Sequence, residues 1–134
     1  ELQYAYFPLR QATELINLDW NDIVKDAHTA SLILSGESKK ILSKCEVGSE
    51  RVKKIVKYSI TVFTYLQYVR GVKNLDLNHV EAYLSTEDPF YGSISRSIEL
   101  KRLNYDGMTL DDLFNAVKGI DMIIKEQELL IGYV

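Results

Sequence analysis

Residues 49–70 read SERVKKIVKYSITVFTYLQYVR, the most apolar long segment of the chain with helical spacing. Val52, Ile55, Val56, Phe63 and Leu66 fall on one face at about 100° per residue, and Ile60 and Val62 widen it on either side. So broad a face needs neighbours on more than one flank, which makes this the expected central helix of an all-α fold. The opposite side carries Lys53, Lys54, Lys57, Thr61, Thr64 and Tyr68. That stripe, basic at its start and rich in hydroxyls toward its end, is expected to meet solvent or a partner. Ser49 reads as the N-cap, Glu50 is spaced to pair with Lys54 four residues on, and Gly71 ends the helix.

Upstream, Pro8 suits the first position of a helix running to about Leu18, because its missing N–H would go unpaired there anyway. Asp19 then reads as the cap of a second helix with a buried stripe of Trp20, Ile23, Val24, Ala27 and Leu34. Gly36 is its expected stop, since a residue just past a helix often takes the left-handed conformation. The polar stretch ESKKILSKCEVG over 37–48 is expected to be a short helix or a mobile loop.

Downstream of Gly71, Asp76 or Asn78 is expected to cap a brief helix with Val80, Tyr83 and Leu84 facing inward. Asp88 followed by Pro89 marks the next helix start. Phe90, Ile94 and Ile98 share a face, while Leu100 and Leu103 lie on nearly the opposite one. The segment is therefore either a helix with two neighbours or a helix that breaks near Ser97 into a short strand; the helix is the preferred reading. Thr109 and Asp112 have the spacing of a capping box that opens a last helix bearing Leu113, Val117, Ile120, Ile124 and Ile131. The expected architecture is one helical domain over 1–134, a bundle of five or six helices with 49–70 and 109–131 as its two long core members.

Composition agrees with a globular domain: 134 residues, 46% hydrophobic and 26% charged, without repeats or a Pro/Gly/Ser-rich linker. No run reaches the roughly 18 apolar residues of a membrane-spanning helix. The sequence opens on Glu1 rather than Met, read as a sign that upstream residues are missing. Cys45, the single cysteine, excludes an intrachain disulfide and favours a reducing intracellular, cytoplasmic setting. Net charge is −3, but it is segregated. Residues 37–73 hold Lys39, Lys40, Lys44, Arg51, Lys53, Lys54, Lys57, Arg70 and Lys73 against Glu37, Glu46 and Glu50, and the chain from Asn74 onward is acidic.

Motifs for chemistry are sparse. His28 and His79 stand alone, so no metal site is expected; Cys45 with a histidine would serve as nucleophile and base only where the fold brings the two together, and no glycine-rich loop offers amides to a phosphate or cofactor. Asp111 and Asp112 complement a helix start. The mark of HEPN ribonucleases, Arg followed after four to six residues by His, is not met by Arg70 and His79, which have eight residues between them. Residues 79–104 have the outline of a helix-turn-helix, in which Ser93, Ser95, Arg96 and Ser97 would approach bases and Lys101 and Arg102 phosphates.

The strongest signal is the basic region. Lys39, Lys40, Lys44, Lys53, Lys54 and Lys57, with Tyr65 and Tyr68 beyond them, suit either an acidic protein surface or phosphates with bases stacked on the rings. The leading expectation is a non-catalytic interaction module, an accessory subunit or adaptor docking on a protein. A nucleic-acid-binding accessory subunit is the alternative, and an enzyme of a type its motifs do not reveal is the third reading.

Overall fold

The computed structural model describes residues 19–132. Four α-helices follow in order: α1 (Trp20–Lys44), α2 (Lys53–Val69), α3 (Tyr91–Arg102) and α4 (Leu110–Ile131), with 3-10 turns at Glu50–Val52 and Leu77–Tyr83. The described residues contain no strand. The expected helix from Pro8 to Leu18 lies outside them.

Side-chain contacts fix an up-and-down arrangement. Trp20 at the start of α1 meets Tyr68 at the end of α2, with ring centroids 6.1 Å apart. Phe63 in α2 meets Phe90 at the start of α3, with centroids 6.0 Å apart, while Lys53 at the other end of α2 sits over the Tyr105 ring beyond α3. His28 near the start of α1 reaches Glu128 near the end of α4. Each helix is therefore antiparallel to the next, and α4 closes back on α1. One end of the bundle gathers the end of α1, the start of α2 and the end of α3; the other gathers the start of α1 and the end of α4.

The caps follow from local chemistry. The Asp19 carboxylate accepts from Asn21 N at 3.1 Å. Thr109 and Asp112 form the expected reciprocal box: Asp112 N donates to Thr109 Oγ1 at 3.2 Å, and Thr109 N donates to Asp112 Oδ2 at 3.0 Å. Gly71 has φ +92°, the left-handed stop the sequence calls for, and Gly132 at φ +93° ends α4 in the same way. Ser49 accepts from Arg51 N, but the turn it opens is 3-10, and Glu50 pairs with Lys53 at 2.8 Å rather than with Lys54.

Three expectations are corrected. First, α1 does not stop at Gly36 but runs unbroken to Lys44, absorbing most of the stretch 37–48, so that this stretch is neither a separate short helix nor a loop. Buried Ser38 and Ile41 hold that second half down, and tertiary contact of this kind outweighs the roughly 1 kcal/mol that a mid-helix glycine costs. Second, Asp88 does not cap α3, which begins two to three residues later; its carboxylate instead accepts from Ser85 N and pairs with Arg70. Third, the brief helix after Asp76 is a 3-10 segment broken at His79 (φ −129°, ψ 45°).

The core forms around α2, which is more deeply enclosed than one apolar face implies: every residue over 61–68 is buried. Phe63, Leu66, Val117 and Ile124 share the core. Thr61 and Thr64 satisfy their hydroxyls on the carbonyls of Lys57 and Ile60, one turn back, which lets them lie inside. α3 is helical throughout; Leu100 is buried and Leu103 is exposed. At the α3–α4 crossing, Gly119 leaves no room for a side chain, since a Cβ there would lie 2.9 Å from Ser93 Cβ.

α1 also meets α4 through a polar seam. Gln127 Nε2 donates to Ser31 Oγ at 2.9 Å, and Ser31 Oγ donates to the Ala27 carbonyl at 2.9 Å. His28 Nε2 and Glu128 Oε2 are 3.0 Å apart, Ser35 donates to Asp121, and Lys39 pairs with the same carboxylate at 3.0 Å. Such contacts fix register more than they add stability.

Candidate interaction surface

The basic residues gather because α1 and α2 are antiparallel and joined by a short link: the last turns of α1 and the first turns of α2 lie at one end of the bundle. Lys40, Lys44, Arg51, Lys54 and Lys57 are exposed and belong to no ion pair among the described residues. Lys39 and Lys53 are less available. Lys39 is held by Asp121 across the seam, and Lys53 by Glu50 at 2.8 Å and by the Tyr105 ring, 5.4 Å away.

The two tyrosines do not accompany the lysines to the surface. Tyr65 is 0% exposed and Tyr68 is 7% exposed, the latter packed against Trp20. Burial pushes the Tyr65 phenol up to about 12, and its hydroxyl has no hydrogen-bond partner among the described residues. Neither ring faces a solvent-borne base. The stripe expected along α2 is thus a surface only over its first turns; Thr61, Thr64 and Tyr68 belong to the interior.

The other candidates resolve into scaffolding. Ser97 of the supposed reading helix is buried, 2.7 Å from Ser59 Oγ, and Ser93 Oγ donates to the Asn115 carbonyl. Arg96 grips Asp112 through two nitrogens at 3.1 and 3.2 Å and also pairs with Glu99. Its hydrogen bonds hold the Asp112 carboxyl below the usual value. α3 therefore turns Ser93, Arg96 and Ser97 toward α2 and α4, not outward as a helix-turn-helix requires, while Ser95 lines an open cleft and Lys101 and Arg102 stay exposed. Arg70 and His79 serve separate partners, Asp88 and Asp76. The His79 ring, 2.8 Å from the Asp76 carboxylate, has its pKa raised by that hydrogen bond.

Two adjoining clefts of about 380 and 360 Å³ flank α3, sharing Glu81, Ile98 and Arg102, with the Arg102–Glu81 ion pair across them. Both are open to solvent. Among the described residues no group of three His, Cys, Asp or Glu side chains is placed to hold a metal ion, and no described helix is long and apolar enough to cross a membrane. The exposed surface also carries large apolar side chains, among them Ile33 at 65%, Leu129 at 60% and Phe114 at 54%. The periodicity of α1 places Ile33 on its outer face, a signal that a search for buried stripes passes over.

No family model, curated protein or solved structure matches the chain.

Proposed function

We propose that the chain is a non-catalytic helical interaction module, an accessory subunit or adaptor, whose basic end docks on an acidic protein surface. The observation that carries this reading is the pairing of exposed lysines in no ion pair among the described residues, Lys40, Lys44, Lys54 and Lys57, with exposed apolar Ile33 on the same helix as the first two. Lysines steer and orient an acidic partner, and an apolar side chain adds contact area that phosphates do not use. A nucleic-acid reading loses its stacking platform with Tyr65 and Tyr68 inside the core. An intracellular, reducing setting belongs to the same reading, in keeping with one unpaired cysteine, Cys45.

The test is a double reversal, Lys54→Glu with Lys57→Glu, in the full chain, both positions being exposed. Partners captured by tagged natural chain and by the variant are compared, and a single-stranded oligonucleotide is titrated at about 0.15 M salt. The expected result is loss of the captured acidic partner with weak oligonucleotide binding. Tight, steeply salt-dependent oligonucleotide binding that the reversal abolishes sinks the protein-docking reading.

A further inference from the structure

The outer stripe of α1 has a symmetry of its own. Asp22, Asp26, Ile33, Lys40 and Lys44 fall within about 40° of one another around the helix, and all five are exposed. Asp22 and Lys44 each lie eleven residues from Ile33, on opposite sides of it, and Asp26 and Lys40 each lie seven. None of the four charged residues takes part in an ion pair among the described residues. Acid, apolar centre and base thus follow one another along about 33 Å of continuous helix.

We infer that the partner of this face is a second copy of the chain, with α1 packed antiparallel against α1 about a two-fold axis at Ile33. This rests on the docking reading above and names one surface the basic end meets. Laid antiparallel with the two Ile33 side chains in contact, the stripe brings Asp22 opposite the other copy's Lys44 and Asp26 opposite its Lys40. The symmetry then repeats both pairs. A two-fold interface demands this self-complementarity: whatever one residue meets, its mate must meet in reverse. A parallel arrangement sets like charges face to face. Thr29 and Gly36 sit beside Ile33 on one side of the stripe, both exposed, and a Cβ at Gly36 would touch nothing; such small residues permit close approach of two helices. Ile33, the most exposed large apolar side chain among the described residues, becomes the buried centre within a charged rim.

Sedimentation velocity over a concentration series tests this on the full chain. The natural sequence is expected to form a dimer that weakens as salt is raised, and Ile33→Asp to be monomeric at concentrations where the natural chain is dimeric. Two charge variants make the assignment specific. Lys40→Asp with Lys44→Asp leaves the stripe wholly acidic, and Asp22→Lys with Asp26→Lys leaves it wholly basic. Each alone is expected to be monomeric and folded by circular dichroism, and an equimolar mixture is expected to dimerise. A natural chain monomeric throughout the series, or a mixture that stays monomeric, overturns the inference. Because these variants keep Lys54 and Lys57, capture of an acidic partner lost on their reversal, by a chain that does not dimerise, sinks this inference and leaves the docking reading standing.

Discussion

At the scale of single residues, the most telling group is the Tyr65 hydroxyl, buried and without a hydrogen-bond partner among the described residues. An unsatisfied buried hydroxyl opposes folding, so Tyr65→Phe should leave stability unchanged or raise it by up to about 1 kcal/mol in urea unfolding. The same group gives an alkaline signature. In the unfolded chain the phenol ionises near its ordinary value of 10, while the folded chain holds the proton to about 12. The unfolded state is then the one that loses protons first, so this contribution is fully present below pH 10 and is lost as pH rises through about 12. Tyr65→Phe should remove that part of the alkaline slope; equal slopes in the two proteins rule the explanation out. Gly119→Ala should cost about 1 to 3 kcal/mol, because its methyl group must displace the Ser93 side chain. Tyr65 was not legible in the sequence. A tyrosine near lysines has the same spelling whether it lies on the surface or inside, and only the neighbours gathered from distant parts of the chain decide which.

At the scale of elements, the same substitution at two glycines should act with opposite sign. Gly71→Ala forces a Cβ into the left-handed region at φ +92° and should destabilise by about 1 kcal/mol. Gly36→Ala replaces a glycine in the interior of α1, where a new methyl group touches nothing, and should stabilise by roughly 0.5 to 1 kcal/mol. Measured on the Ile33→Asp background, where the proposed contact between copies is absent, a loss of stability at Gly36 would mean that α1 ends there after all. The sequence signals at the two positions are alike, a glycine after an apolar-periodic run, and only the burial of Ser38 and Ile41 beyond Gly36 tells them apart. Caps were more legible, because their partners lie within three residues. Thr109→Ala should cost about 1 kcal/mol by thermal unfolding. Asp112, whose pKa is lowered chiefly by the Arg96 hydrogen bond, adds stability above the ordinary carboxyl value of 3.8 that is lost as pH falls through its lower folded value. Asp112→Asn should flatten the acid limb of the stability profile, and an unchanged limb counts against the pairing.

At the scale of the whole molecule, the all-α class and the core place of α2 and α4 were legible from periodicity, since Phe63, Leu66, Val117 and Ile124 repeat at helical spacing and all are buried. The expectation that 49–70 and 109–131 are the two long helices holds for α4 at 22 residues but not for the 17-residue α2, because α1, continuing past Gly36, is the longest described helix at 25 residues. The α1–α4 seam was not legible, because Ser31, Ser35, Ser38 and Gln127 read as surface residues until a partner helix supplies hydrogen bonds or covers them. Phe63→Ala should cost roughly 3 to 5 kcal/mol, its ring being wholly enclosed between helices. The enclosure of α2 also bears on exchange with heavy water. A helix enclosed all round cannot fray sideways, so backbone amides over 61–68 become accessible only when the bundle comes apart entirely. Their protection should therefore report the global unfolding free energy, and Phe63→Ala should accelerate all of them by a common factor.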